Sequence, residues 1–156
     1  MSTKPKVEIL VISLTSPLLI GVYHNDILID TYESHEKTSE ILPSMMENIL
    51  NRYEIRKLYF ARGPGSFMAI KITYIFLKTI SITLEVPLLA TDGFAFNQNS
   101  PIKAVGSLYF CKENGMITTQ KVDDPQEKIK FFTLPKVLDK KIFTSETEPL
   151  YILPAV

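Results

Sequence analysis

VEILVISLTSPLLIGVYHNDILIDTY, residues 7–32, decides the fold. Three runs of β-branched and apolar residues, 7–13, 18–23 and 27–32, are parted by two clusters of turn formers, Thr15-Ser16-Pro17 and His24-Asn25-Asp26. Apolar runs of this length bounded by such clusters read as strands, so the chain opens with three strands in meander order.

Downstream the period changes. Ile41, Leu42, Met45, Met46, Ile49 and Leu50 recur at helical spacing, with Glu40, Glu47 and Asn51 opposite them. This predicts an amphipathic helix with Thr38 or Ser39 as its N-cap. Residues 57–61 (KLYFA) read as a short strand, Arg62-Gly63-Pro64-Gly65 as a turn, residues 66–84 as a second helix and residues 86–90 as a closing strand. The second helix is apolar around nearly its whole circumference, from Phe67, Ile70 and Ile72 to Ile80, Ile82 and Leu84. One side of it can pack on the sheet; the other calls for a second helix or another protein chain.

The order β-β-β-α-β-α-β, with a parallel crossover through each helix, predicts an α/β fold. It is the ribonuclease H-like mixed sheet with helices that the actin, sugar-kinase and heat-shock ATPase superfamily shares. Beyond Asp92-Gly93 the signals thin to strands near 104–110 and 116–121, a weak helix near 125–132 and short segments at 141–144 and 150–153. The reading is a ribonuclease H-like N-terminal domain over residues 1–92 and a truncated second subdomain over 93–156.

Composition narrows the function. With 156 residues and 46% hydrophobic content the chain can bury a core, and 17 basic residues balance 17 acidic ones. That balance supplies no field for strong direct nucleic-acid binding. The single cysteine, Cys111, excludes an internal disulfide or a cysteine zinc cluster and fits a reducing cytoplasm, where it reads as a small buried apolar residue. No signal peptide is expected from the N-terminus. Lys71, Lys78 and Glu85 interrupt the longest apolar region, so a soluble protein with no membrane partner is expected.

The sharpest motif is Ala61-Arg62-Gly63-Pro64-Gly65-Ser66-Phe67, where a strand ends, a Pro-Gly pair turns the chain, and Ser66 is placed to cap the next helix. Backbone N–H groups at such a turn can hold an anion. It is not a Walker loop, because the chain continues Met68-Ala69-Ile70-Lys71 without the second glycine, lysine and hydroxyl.

RGPGSFMAIK, residues 62–71, resembles the G-R-G-P-G-S-F-T-G-x-R signature of the TsaB (YeaZ) family. The surroundings agree over about the first hundred residues: a hydrophobic first strand, a helix led by His35, the signature, and a strand like Val86-Pro87-Leu88-Leu89-Ala90. Met68 and Ala69 stand where the family has Thr and Gly, and Ser13 where it has an aspartate closing the first strand. The resemblance implies an accessory subunit of tRNA threonylcarbamoyladenosine synthesis, with no catalytic residue, metal or cofactor of its own. It would bind and activate the catalytic subunit TsaD through its two N-terminal helices. It would also help recruit TsaE, meet tRNA only through the complex, and form a homodimer when isolated. The expected contact face is Ile41, Met45 and Ile49 with Ile70, Tyr74 and Leu77.

Two other classes stay open. A nucleotide-binding enzyme of the same fold needs a carboxylate near the end of the first strand for Mg²⁺, and Ser13-Leu14-Thr15-Ser16-Pro17 offers none. A peptidase needs an activated serine, but Ser66 lacks the G-x-S-x-G elbow, and His24 and His35 read as turn and cap residues. Asp123-Asp124-Pro125 reads as a turn before a helix.

Overall fold

The computed structural model describes residues 3–152. Strands β1 (Lys6–Ile12), β2 (Leu18–His24) and β3 (Ile27–Ser34) form the expected meander. They are followed by α1 (Thr38–Arg52), β4 (Glu54–Ala61), α2 (Phe67–Leu84) and β5 (Leu88–Thr91). The five strands make one mixed sheet in the order β3-β2-β1-β4-β5. The β1 strand runs antiparallel to β2 and parallel to β4, and β5 lies parallel to β4. Asn25 and Asp26, both with positive φ (50° and 67°), make the two-residue turn that matches the twist of β2 and β3.

Both faces of the sheet are buried, which is why β1 is apolar at successive positions rather than alternate ones. On one face Val7, Ile9, Val11, Leu58 and Phe60 pack beneath Leu42, Met46 and Ile49 of α1 and Leu77 of α2. On the other, Leu10, Ile12, Tyr23 and Tyr59 meet Phe96, Leu138 and Phe143 from the C-terminal part of the chain.

A second, three-stranded antiparallel sheet holds β6 (Ile102–Lys103), β7 (Leu108–Glu113) and β8 (Met116–Lys121), in that order. Residues 104–110, read as one strand, divide into a bend and the start of β7. There Leu108 N–H bonds Val105 O (3.0 Å) and Gly106 takes a positive φ. The helix read over 125–132 stops after α3 (Pro125–Lys128). Asp124 precedes α3 and Pro125 opens it, so the Asp-Asp-Pro turn is where the sequence put it.

From residue 133 the chain becomes a strap across the rear of the first sheet. Leu28 N–H bonds Lys136 O (2.9 Å) and Leu138 N–H bonds Asp26 O (2.8 Å) at the β3 side. Ala90 and Thr144 exchange both backbone hydrogen bonds (2.9 Å each) at the β5 side. The short 141–144 segment thus serves as an added backbone pairing for β5. Of the segment read over 150–153, Leu153 lies outside the described residues.

Candidate partner face and signature turn

Residues Arg62 to Phe67 link the end of β4 to the first residue of α2, and the protein's own groups hold them on both sides. Ser66 N–H bonds Leu14 O (2.9 Å), tying the turn to the β1–β2 connection. A Cβ on Gly65 would lie 2.7 Å from that same Leu14 oxygen, so the close approach needs glycine. Arg62 Nη1 donates to Glu148 O (2.7 Å), Arg62 Nη2 faces Glu146 Oε2 (3.5 Å), and Leu150 N–H bonds Arg62 O (2.8 Å). Gly63, at φ 133°, accepts from Gly93 N–H (2.9 Å), and Pro64 is buried.

Ser66 occupies the N-cap position of α2 but makes no capping side-chain bond. Likewise Lys37, not Thr38 or Ser39, is the N-cap of α1, again without a side-chain bond, because the helix starts one residue earlier than its hydroxyls suggest. Neither helix start is therefore held by a capping side chain.

Their N-terminal ends, together with the β1–β2 turn, border one cavity of about 520 Å³ walled by Thr38, Ser39, Ser66, Met68 and Ile72. At its base Ser13, at the end of β1, shares a hydrogen bond with Thr73 of α2 (Oγ···Oγ1 2.7 Å), both side chains being buried. The position where a metal-binding carboxylate would stand thus holds a hydroxyl already engaged. His35 Nδ1 lies 3.4 Å from Ser16 Oγ in the same cavity, whereas His24 Nδ1 sits 3.0 Å from Lys6 O at the other end of β2. Among the described residues no cluster of His, Cys, Asp or Glu has the arrangement of a metal site. Cys111, half-buried rather than buried, has its thiol pKa pushed up by burial and, less, by Glu113.

The expected contact face divides. Ile49, Ile70 and Leu77 are wholly buried in the chain's own core, so these three side chains are not available to a partner. Ile41, Met45 and Tyr74 are half-buried and lean on that core, and Tyr74 stacks on Phe60 at 6.1 Å between ring centroids. The apolar surface that is open lies one helix face further round. Met68 (68% exposed), Ile72, Ile75 (53%) and Ile82 (68%) fall on a single stripe of α2, at spacings of four, three and seven residues. Composition alone could not separate this stripe from the buried one, because α2 is apolar on both. By length and hydropathy (18 residues, mean hydropathy 1.5) α2 would also suffice to cross a bilayer, but here it is the crossover between β4 and β5 and packs on their sheet.

No protein-family model matches the chain. The tRNA threonylcarbamoyladenosine biosynthesis protein TsaB of Buchnera aphidicola subsp. Acyrthosiphon pisum (strain APS) is 29% identical over 83 residues, covering 49% of this chain and 37% of that protein. Among solved structures, YeaZ from Pseudomonas aeruginosa superposes with a TM-score of 0.60 at 13% identity, over 80% of this chain and 63% of that one. A Pseudomonas aeruginosa protein described as similar to the peptidase YEAZ gives 0.57 at 12%, over 80% and 62%. The chain thus spans less than two thirds of each, and the two structures establish likeness of fold: a mixed five-stranded sheet with helices, similar to YeaZ.

Proposed function

We propose that this chain, whose relative and structural neighbours support assignment to the TsaB/YeaZ family, is a non-catalytic scaffold subunit in tRNA threonylcarbamoyladenosine synthesis. In this reading residues 1–92 form a ribonuclease H-like domain and residues 93–156 a reduced second one. The catalytic partner is TsaD, bound along α1 and α2; TsaE joins the complex, tRNA is met only through it, and the setting is the cytoplasm. In isolation two copies pair through the same helices.

The observation that carries the reading is the open stripe Met68, Ile72, Ile75 and Ile82 on a helix whose opposite side is already buried. Covering an apolar face of this kind releases about 25 cal/mol for each Å² withdrawn from water. A partner helix with its own apolar stripe is the shape that fits. The engaged Ser13–Thr73 pair at the end of β1 supports a scaffold over a nucleotide enzyme, since it leaves no carboxylate there for Mg²⁺. The subunit then acts by favouring a competent conformation of its partner rather than by chemistry.

The test is co-expression with the TsaD of the same organism, size-exclusion chromatography, and mass spectrometry of the tRNA nucleosides. Wild type is expected to co-elute with TsaD, and Ile75→Glu to fold but elute alone and fail to restore threonylcarbamoyladenosine in a strain lacking the subunit. A complex that survives Ile75→Glu moves the face elsewhere. No complex in wild type, with ATP and TsaE present, sinks the scaffold reading.

A further inference from the structure

The helix that carries the open stripe begins with little of its own to hold it. Ser66 makes no capping side-chain bond and the first turn of α2 contains no acidic residue, so two local means of stabilising a helix start are missing. What stands there instead comes from the far end of the chain. The Phe67 ring meets the Tyr151 ring edge-on, with centroids 5.3 Å apart. The first residue of α2 is thus held by a ring from 84 residues away in the chain.

Tyr151 is delivered by a segment anchored on the signature turn. The Arg62 guanidinium, only 14% exposed, grips Glu148 O and faces the Glu146 carboxylate, while its carbonyl accepts from Leu150 N–H. Gly63 leaves room for Leu150 to pass: a Cβ there would lie 2.9 Å from Leu150 O and 3.0 Å from Leu150 Cβ. Arg62, Gly63 and Phe67 therefore all contact the stretch from Glu146 to Tyr151, and a signature with the look of an anion loop is filled by the chain's own backbone.

We propose that this stretch is a clasp that orders the first turn of α2, with Arg62 as its positioning residue, and so sets the N-terminal end of the partner face where Met68 lies. The part concerning the partner rests on the reading of α2 as the contact helix. The coupling between clasp and helix does not.

Hydrogen–deuterium exchange on the full chain tests the coupling. The amides to follow are those of residues 70–73, whose helical acceptors are the carbonyls of residues 66–69. In Tyr151→Ala, and in Arg62→Met, they are expected to exchange about tenfold faster than in wild type while residues 78–84 keep their rates. Arg62→Lys is expected to restore part of the protection. If Arg62→Met does not fold, Tyr151→Ala, a change at a half-exposed ring, decides alone. Loosening of residues 144–151 without any change at 70–73 overturns the proposal, as does a rise spread evenly over all of α2.

Titration against TsaD separates the two readings. Tyr151→Ala is expected to weaken binding about tenfold where Ile75→Glu abolishes it. If Ile75→Glu leaves binding intact, the face has been misplaced and the exchange result stands on its own. If Ile75→Glu abolishes binding and Tyr151→Ala does not change it, the clasp's influence on the partner is overturned.

Discussion

At the scale of single residues, the tightest constraint lies at Gly65, where an added Cβ would stand 2.7 Å from Leu14 O and 2.8 Å from Leu14 Cβ. The nearest atom is backbone, held by its own bond from Ser66 N–H, so it cannot move aside without breaking the link between the turn and β1. Gly65→Ala is expected to cost about 1–3 kcal/mol, seen as a lower urea midpoint at unchanged slope. Cys111 offers a pH-dependent readout of the second sheet. Burial and then Glu113 push its thiol pKa up, and the thiolate is the reacting species. It is therefore expected to react with a disulfide reagent more slowly than free cysteine at neutral pH and to speed up as pH rises through its raised pKa. Glu113→Gln removes a neighbouring negative charge and is expected to increase the rate. Neither constraint was legible in the sequence beyond the identity of the residues. Gly65 was read as a turn glycine, but its contact with Leu14, and the Ser13–Thr73 hydroxyl pair, join positions brought together only by the sheet.

Elements were read more fully, because the apolar runs of the first sheet are bounded by turn formers and α1 carries a helical period, signals set by local physics. Their ends were read less well: hydroxyl residues near a helix start look like caps, yet Lys37 holds the N-cap of α1 and Ser66 caps α2 in position only. The choice of face on α2 was out of reach for a related reason. A helix with apolar residues all round gives no moment to orient it, and only the placement of β4 and β5 puts Leu77 inside and Ile75 outside. Within α1 one feature breaks the helical rules openly. Pro43 lies inside the helix, exposed, and has no N–H to offer the Ser39 carbonyl. Pro43→Ala is expected to raise stability by about 1–2 kcal/mol, the restored bond and relieved ring contact being offset in part by a freer unfolded chain. A thermal melt with a higher midpoint checks it, and a lower midpoint would mean that the proline supports a packing contact of its own.

For the whole molecule the strap matters most, since its Leu138 and Phe143 join Phe96 in covering one face of the five-stranded sheet. Its hydrophobic part was legible only as the short segment 141–144, whose Phe143 meets Tyr59 at 4.5 Å between ring centroids; Leu138, buried beside an exposed Val137, was not. Its polar anchor was not legible, because it joins residues from four separate segments. Lys140 Nζ lies 3.0 Å from Asp26 Oδ1 and 3.1 Å from Glu8 Oε2, and Glu8 Oε1 accepts from Tyr59 O–H at 2.5 Å. Hydrogen bonds to Asp26 and Glu8 push the Lys140 ammonium pKa up from its ordinary 10.5. The folded state therefore holds this proton more tightly than the unfolded state does. The stabilisation is complete below the ordinary lysine value and fades as pH rises through the raised one. Tyr59, its pKa raised chiefly by burial, acts in the same direction, because the unfolded phenol ionises first. Because Lys140 is itself exposed, its share is modest and screened by salt. Lys140→Met is expected to leave Glu8 and Asp26 without their shared cation, so that protease cuts the strap sooner at neutral pH and low salt, with the difference from wild type shrinking as salt is added. Over the alkaline range from the ordinary lysine value of 10.5 through the raised one, the wild-type advantage should close while both proteins go on losing the Tyr59 contribution. An advantage that persisted unchanged to the top of that range would show that the lysine holds the strap through its aliphatic stem and not through its charge.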